Sequence, residues 1–405
     1  MTDQTPLDYS SAGVDTEAGD LAVELMKEAV SRTHDSTVIG GQAGSFAGMV
    51  DATALKSMEK PLLATSTDGV GTKIEIAKAM GRVDSIGQDL VAMVVDDLVV
   101  VGAKPLFMSD YIACGHVDPA RIAAIVKGVA DACAAIGCPL VSGETAEHPG
   151  VMDPEDFDIA GAATGVVDEP RMLGPHRVLA GDVVLGMASS GLHSNGYSLV
   201  RKVIEVAGAS LADDVPEFGR TLGEEVLEPT RLYTKVCLDA IDVVGEGADG
   251  LHALCHVTGG GLAVNLSRVL PPAMVAGVDR GAWAVPPVFD WVRRNGNVSW
   301  EALEDSLNLG VGMIAVCAAS AVGAIQRVCD AAGIETFVLG SVSSIDEGAA
   351  AAAPATAPAS PDAETAADVL GLDDAVAEGL GERLVSGTKG IKGGSVRMTG
   401  DYRLA

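Results

Sequence analysis

Apolar and polar positions in the first 168 residues follow two different spacings. Helical periodicity or length predicts helices over 19–33, 84–101 and 118–137. Short apolar runs predict strands over 61–67, 105–113 and 158–167. Because strands and helices alternate along this part of the chain, the pattern indicates an α/β fold.

A turn-rich segment over residues 168–182, rich in Pro and Gly, interrupts this alternation. The chain of 405 residues also exceeds what one hydrophobic core usually serves. We therefore predict an N-terminal domain over 1–170 and a C-terminal α/β domain over 171–405. Within the second domain, the pattern predicts helices near 195–207 and 229–244 and strands near 183–189, 273–279, 312–317 and 335–342.

The C-terminal part of the chain contains a segment of different composition. Residues 348–363 are low-complexity Ala/Pro sequence that has too little apolar surface to offset the entropy of ordering it. We predict a disordered insertion there. A short helix is expected around 365–385, and the alternation over 393–403 predicts a final strand at a sheet edge.

Composition excludes several classes of function. The formal net charge of -29 opposes binding to nucleic acid and to anionic membranes, so neither is an expected partner. Seven cysteines without a C-x-x-C pair indicate reduced thiols. The first residues lack the basic and apolar segments of a signal peptide, and no apolar run approaches a membrane span. We expect a cytoplasmic protein.

The segment over residues 66–73, S-T-D-G-V-G-T-K, directly follows a predicted strand and suits phosphate and metal. Asp68 offers a hard oxygen ligand for magnesium, and Lys73 offers a positive charge. Gly69 and Gly71 allow backbone N–H groups to approach anionic oxygens. The order of residues differs from that of a Walker A loop. A structural β-turn with a surface Asp and Lys is the alternative.

Carboxylates elsewhere in the chain could complete a metal site. Asp96 and Asp97 lie inside an otherwise apolar predicted helix, where buried carboxylates need a partner such as a metal. Glu144 follows a predicted apolar strand, where α/β proteins commonly place ligands. We expect Asp68, Asp97 and Glu144 to converge around one magnesium–nucleotide site. Whether Asp96 is a ligand or only a neighbour stays open.

Two motifs in the second half point to a bound anion. Residues 189–201, S-S-G-L-H-S-N-G-Y-S-L-V-R, form a polar turn that leads into a helix, which Ser194 or Asn195 could cap. His193 in this turn is either a general acid or base or a hydrogen-bonding residue of the turn. Residues 256–261, H-V-T-G-G-G, allow close backbone approach to a phosphate.

In order and wording, these motifs resemble the phosphoribosylformylglycinamidine cyclo-ligase family, also called aminoimidazole ribonucleotide synthetases. The match runs along nearly the whole chain, through AGVDTEAGD, GGQAGSFAG, STDGVGTK, DDLVVVGAKPLFMSDY, SGETAEHPG, SSGLHSNGYSLVR, HVTGGG and NLGVGM. The resemblance implies a two-domain α/β ATP-binding synthetase fold. It also implies a homodimer in which strands of both N-terminal domains form a central β-barrel.

The resemblance further implies ATP as co-substrate and Mg²⁺ as cofactor, in a groove that the Gly-rich loop over residues 38–48 covers. The nucleotide-binding residues it implies are Gly40, Gly41, Gly44, Asp68, Gly69, Gly71, Thr72, Lys73, Asp97 and Glu144. Asp68, Asp97 and Glu144 would hold the metal. The substrate-binding residues it implies are Ser190, His193, Ser194, Asn195, Thr258, Gly259 and Gly260. Lys73 and His193 are the expected catalytic residues.

The reaction implied by the resemblance is ring closure. ATP would phosphorylate the formyl oxygen of formylglycinamidine ribonucleotide, the amidine nitrogen would attack the activated carbon, and phosphate would leave. Two alternatives stay open. One keeps the same fold and is a small-molecule kinase that transfers phosphate without ring closure. The other belongs to a different class of function and is a nucleotide-binding regulatory dimer without turnover.

The composition of residues 348–363 generates a first testable prediction. Replacing them with a short Gly/Ser linker should leave the melting temperature nearly unchanged, because the segment has no core to join. Thermal unfolding followed by circular dichroism measures this. A large fall in melting temperature would show that the segment packs against the rest of the protein.

Overall fold

The structure is a computed structural model that describes residues 13–40, 46–345, 379–387, 390 and 392–405. Two sheets with helices packed against them organise these residues. The first sheet ends at Asp168 and the second begins at Val183. The proposed division of the chain at residues 170 and 171 lies between them. In the described residues, no helix is long and apolar enough to cross a membrane.

The first sheet has four strands in the order β3-β6-β4-β5. Its part of the chain contains the strands β1 Val38–Ile39, β2 Met49–Val50, β3 Pro61–Gly69, β4 Lys104–Cys114, β5 Leu140–Glu147 and β6 Phe157–Asp168. The helices are α1 Thr16–Ser31, α2 Ile74–Met80, α3 Ile86–Val99 and α4 Pro119–Ile136. Helix α3 packs on one face of the sheet, and α4 packs against α3 and α1. The short β1–β2 pair flanks the Gly-rich segment.

The opposite face of the first sheet is open to solvent. Leu63 on β3 is 66% exposed, and Tyr111 on β4 is 41% exposed. Gly69 on β3, Ala160 on β6 and Tyr111 on β4 lie opposite one another and therefore share a face. Leu63 shares that face, because it lies an even number of residues from Gly69 on β3. A sheet with one solvated face is an open layer, and the four strands of one chain do not close into a barrel.

The second sheet has seven strands in the order β10-β13-β7-β14-β11-β16-β15. The strands in this part are β7 Val183–Ala188, β8 Asp214–Val215, β9 Arg220–Thr221, β10 Leu251–His256, β11 Met274–Asp279, β12 Ala284–Val285, β13 Val311–Cys317, β14 Thr336–Ser344, β15 Arg383–Ser386, β16 Ser395–Thr399 and β17 Arg403–Leu404. The helices are α5 Tyr197–Ala207, α6 Leu222–Val226, α7 Thr234–Val244, α8 Gly261–Arg268, α9 Pro287–Gly296, α10 Trp300–Glu304 and α11 Val322–Ala331.

The predicted α/β class and most predicted elements are confirmed, but the C-terminal region differs from expectation. The strand predicted over 393–403 is two strands, β16 and β17, with a turn between them. Strand β16 lies between β11 and β15, so β15 forms the edge. Residues 383–386, the first three of which fall in the predicted helix, pair with β16 as strand β15. The Ala/Pro segment 348–363 lies outside the described residues.

Helix α3 joins the two halves through its carboxylates. Asp89 and Asp96 are fully buried, and they lie seven residues apart on one side of the helix. Asp96 accepts hydrogen bonds from the backbone N–H of Tyr233 and from Thr234 Oγ1 at the start of α7. Protein donors therefore supply the partner that a buried carboxylate at this position needs. Burial raises the pKa of Asp96 to about 6.

Candidate active site

Three of the segments singled out in the sequence meet where the two halves of the chain contact each other. Ser194 Oγ donates a hydrogen bond of 3.0 Å to the carbonyl oxygen of Val70. The backbone N–H of Gly259 donates to Asn195 Oδ1 at 2.9 Å. The 66–73 segment, which includes the end of β3, therefore contacts the 189–196 loop, and that loop contacts the 256–261 segment. We call this region the interdomain centre.

Lys73 lies beneath this region and not at its surface. Its side chain is fully buried, and Nζ donates to Asp89 Oδ1 at 2.8 Å, to the His193 carbonyl at 2.9 Å and to the Glu228 carbonyl at 2.6 Å. An ammonium group has three N–H donors, so all three are used. The expectation that Lys73 contacts the nucleotide directly does not fit this geometry. Lys73 instead fixes the position of the loop that contains His193.

His193 is also turned into the protein. Its backbone has φ 63°, a conformation that non-glycine residues rarely adopt, and its side chain is 1% exposed. Nε2 accepts a hydrogen bond from the backbone N–H of Ser190 at 3.2 Å. Burial holds the pKa of His193 well below its ordinary value, so the ring is neutral. These contacts fit a residue that shapes the loop, whereas a proton-transfer residue needs access to substrate.

The helices that follow the two polar motifs both begin at a glycine. Gly196 is the N-cap of α5 and Gly260 is the N-cap of α8, and no side chain among the described residues caps either helix. The expectation that Ser194 or Asn195 caps α5 is wrong, because their side chains bond to Val70 and to Gly259 instead. The first N–H groups of both helices thus have no side-chain acceptor, which suits an anion.

The glycine at position 261 cannot be replaced without moving the chain. A Cβ atom there would lie 1.7 Å from the carbonyl oxygen of Glu304. Gly260 and Gly261 both have positive φ, at 101° and 70°. This run of glycines is required for the tight entry into α8. Thr258 accepts a hydrogen bond through its carbonyl from Asn265 Nδ2, which holds the segment on the helix.

Asp68, Asp97 and His256 form a charged cluster at the interdomain centre. His256 Nδ1 lies 2.9 Å from Asp97 Oδ1, and the Asp97 side chain is 46% exposed. Burial raises the pKa of Asp68, and the nearby Asp97 charge adds to this. Burial alone would lower the pKa of His256, but the Asp97 hydrogen bond and the Asp96 charge outweigh it, so its pKa is raised. The cluster is therefore electrostatically coupled.

Glu144 does not join this cluster within one chain. The register Asp68, Gly161, Asp110, Gly143 runs across β3, β6, β4 and β5. Three strand spacings separate Asp68 from the neighbourhood of Glu144, or about 14 Å. Among the described residues, no group of three or more His, Cys, Asp or Glu side chains could hold a metal. Asp68 and Asp97 still fit magnesium, which commonly takes one or two carboxylates together with substrate phosphates.

Glu144 instead lines a cleft of about 890 Å³. Helix α1, the β1–β2 pair and the β5 strand form its walls, and Gly40 and Glu144 both lie in its lining. Gly41 and Gly44 lie outside the described residues. The predicted nucleotide residues are thus divided between two places: Gly40 and Glu144 at the cleft, and Asp68, Gly69, Gly71, Thr72 and Asp97 on the side of the interdomain centre.

Three residues at the interdomain centre and the cleft were not predicted from the sequence. Asp89 holds Lys73 and also accepts from Thr230 Oγ1 at 2.6 Å. Asn308 Nδ2 donates to the Gly191 carbonyl, which braces the 189–196 loop. Asp110 lines the cleft. The last had a signal in the sequence, because an Asp stands in the apolar run over 105–113.

Two matches to known families define the class of protein. Residues 49–167 match "AIR synthase related protein, N-terminal domain", and residues 180–351 match "AIR synthase related protein, C-terminal domain". Two solved structures share the fold. A thiamine-monophosphate kinase from Stenotrophomonas maltophilia has TM-score 0.59 and 18% identity, over 80% of this chain and 93% of that one. Hydrogenase maturation protein HypE in complex with ATP has TM-score 0.58 and 20% identity, and the match covers 85% of this chain and 91% of that one.

Curated relatives narrow the class further. The phosphoribosylformylglycinamidine cyclo-ligase of Desulfitobacterium hafniense is 45% identical over 340 residues, which cover 84% of this chain and 98% of the relative. The protein of the same name from Geobacillus kaustophilus is 44% identical over 335 residues, which cover 82% of this chain and 95% of the relative. The chain therefore belongs to the phosphoribosylformylglycinamidine cyclo-ligase family.

The contacts of Lys73 generate a second prediction. Lys73→Met should lower the free energy of unfolding by about 3 to 5 kcal/mol, because it leaves the buried Asp89 carboxylate without its cation. Urea denaturation measures this. The double variant with Asp89→Leu should recover part of the loss.

Lys78→Met is the matched control, since it removes ion pairs with Glu75 and Asp156 that are partly exposed. We expect it to cost less than about 1 kcal/mol. If Lys73→Met kept full stability but lost nucleotide binding, the interpretation of Lys73 as a buried support would be wrong.

Proposed function

We propose that the chain catalyses the ATP-dependent cyclisation of formylglycinamidine ribonucleotide to aminoimidazole ribonucleotide, with release of ADP and phosphate, in purine biosynthesis. The observation that carries this proposal is the 45% identity to a relative named for this activity, of which the match covers 98%. The meeting of the STDGVGTK, SSGLHSN and HVTGGG segments at one surface supports it.

ATP binds with its nucleoside in the cleft between α1 and β5. The apolar side chains of Val23, Met26 and Val38 in the lining suit a purine ring. Strands β3, β4 and β5 run in the same direction, so their carboxyl ends share one edge of the sheet. The phosphate chain extends along this edge towards Asp68, where α/β proteins commonly bind ligands.

Asp68 and Asp97 hold magnesium together with the phosphates. Their electrostatic coupling and the partial exposure of Asp97 support this assignment. Bound magnesium would neutralise charge on the transferring phosphoryl group, which is where most catalysis of phosphoryl transfer resides. Gly69 and Gly71 leave the backbone beside it accessible to phosphate oxygens. Glu144 acts at the cleft and not beside these two carboxylates.

The ribonucleotide substrate binds at the interdomain centre. Its phosphate lies against the starts of α5 and α8, whose first N–H groups lack side-chain caps. Ser190, Ser194, Asn195 and Thr258 line the approach, and Gly259 and Gly260 allow the backbone to come close. Lys73 and His193 act from beneath, since they hold the loop in the shape that the substrate needs. This arrangement orients the formyl oxygen towards the phosphoryl donor.

We further propose a homodimer that pairs the open faces of the first sheets. The exposed Leu63 and Tyr111 on this face support the proposal, because a solvated apolar sheet face gains stability when it is covered. Strands of the two chains would then enclose a central barrel. A cytoplasmic location fits the cysteines, because the part of the chain that the structure describes contains no disulfide bond.

A coupled assay tests the proposed activity. ADP release should depend on formylglycinamidine ribonucleotide, and thiamine phosphate should not replace it. Aminoimidazole ribonucleotide must appear in equal amount to ADP. Turnover with thiamine phosphate alone would favour a kinase, and ATP binding without turnover of either compound would favour a regulatory protein.

The dimer has its own test. Leu63→Asp places a charge on the open face and should shift sedimentation from dimer to monomer, because the charge would be buried without a partner. Leu384→Asp, at a position 57% exposed in the second half, is the matched control and should stay dimeric. A parent protein that sediments as a monomer would contradict the proposal.

A further inference from the structure

Asp110 is a buried carboxyl group on the floor of the cleft. It lies on β4, on the face of the sheet that α3 covers, and it is only 9% exposed. Its neighbours in the register are Gly161 on β6 and Gly143 on β5. A Cβ atom at Gly143 would lie 2.1 Å from Asp110 Oδ1, so a side chain there would displace the carboxyl group from its position.

One oxygen of this carboxyl group lacks the partner that a buried acid usually has. Oδ2 is buried and has no hydrogen-bond partner among the described residues. Burial raises the pKa of Asp110 to about 7. A buried, unsatisfied acid opposes folding. The fold gains nothing visible from this residue, which is the pattern of a group kept for a ligand.

The walls of the cleft indicate which part of a nucleotide this group faces. Val23, Met26, Val38 and other apolar residues surround the space above Asp110. A phosphate chain would find few cations there, whereas a purine ring fits between apolar side chains. Adenine presents a ring nitrogen that accepts a hydrogen bond beside an amino group that donates one. A protonated carboxyl group offers the matching donor and acceptor.

We propose that Asp110 hydrogen-bonds the polar edge of the adenine base of the bound nucleotide from the floor of the cleft. The proposal rests on the cleft being the nucleotide site. Within that site, Asp110 is the residue that recognises the base. It requires a neutral side chain with one donor and one acceptor. Asp110 contacts the base and takes no part in the transfer of the phosphoryl group.

Two variants of similar size test this inference. Asp110→Asn keeps one donor and one acceptor, and Asp110→Leu removes both. We measure dissociation constants for AMP and for ATP by titration calorimetry, each with magnesium and with a chelator. AMP reports on the nucleoside alone. Asp110→Leu should weaken AMP and ATP binding about tenfold to a hundredfold, with or without magnesium. Asp110→Asn should stay within about threefold of the parent.

The melting temperature distinguishes a ligand-binding role of Asp110 from a structural role. Asp110→Leu should melt at the same or a higher temperature, because it removes an unsatisfied polar group. A lower melting temperature with unchanged AMP affinity would overturn the proposal and leave Asp110 a structural residue. Loss of binding in both variants only when magnesium is present would also overturn it, since that outcome describes a metal ligand.

Labelling of the parent protein with 8-azido-AMP separates failure of this inference from failure of the nucleotide site. Label on peptides from 13–40 or 140–145 places the nucleoside in the cleft. Label recovered elsewhere would contradict the cleft as the nucleotide site and, with it, the role of Asp110. Label in the cleft together with full AMP affinity in Asp110→Leu would contradict the role of Asp110 alone.

Discussion

The buried ion pair between Lys73 and Asp89 is the interaction on which the interdomain centre depends. Taking both charges out of water is costly, and the pair is tolerated only because other groups satisfy it. Lys73 binds two carbonyl groups, those of His193 and Glu228, and Asp89 accepts two hydrogen bonds from Thr230. Four segments distant in sequence are thereby held together. The rare backbone conformation of His193 persists because these contacts fix it.

Because of this constraint, the residues that hold the loop in place differ from the residues that face a ligand. The charged residues that face solvent are Asp68 and Asp97, whereas Lys73 and His193 lie below them and determine where the loop runs. Because the chain carries strong net negative charge, a phosphorylated substrate must rely on helix N-termini and divalent cations. In the proposed site, the starts of α5 and α8 would bind the substrate phosphate and the Asp68–Asp97 pair would hold the cation.

Periodicity and motif order predicted much of this architecture, because those signals are local. The role of Lys73 could not be read from its motif, since its partners lie 16 and 155 residues away. The same limit applies to Asp96. The sequence predicted that this buried carboxylate needs a partner, but it did not predict that the start of α7 supplies the partner. Asp110 stands where strand alternation points a side chain into the core, yet only the cleft beside it suggests a ligand.

We propose that one enzyme holds ATP along the carboxyl edge of the first sheet and the ribonucleotide at the starts of α5 and α8. A crystal structure with a non-hydrolysable ATP analogue, magnesium and formylglycinamidine ribonucleotide would show both sites at once. We expect the base in the cleft, the metal on Asp68 and Asp97, and the ribonucleotide phosphate against the two helix starts. An analogue seated with its phosphates on the Lys73 ammonium group, or a ribonucleotide bound away from the 189–196 loop, would contradict it.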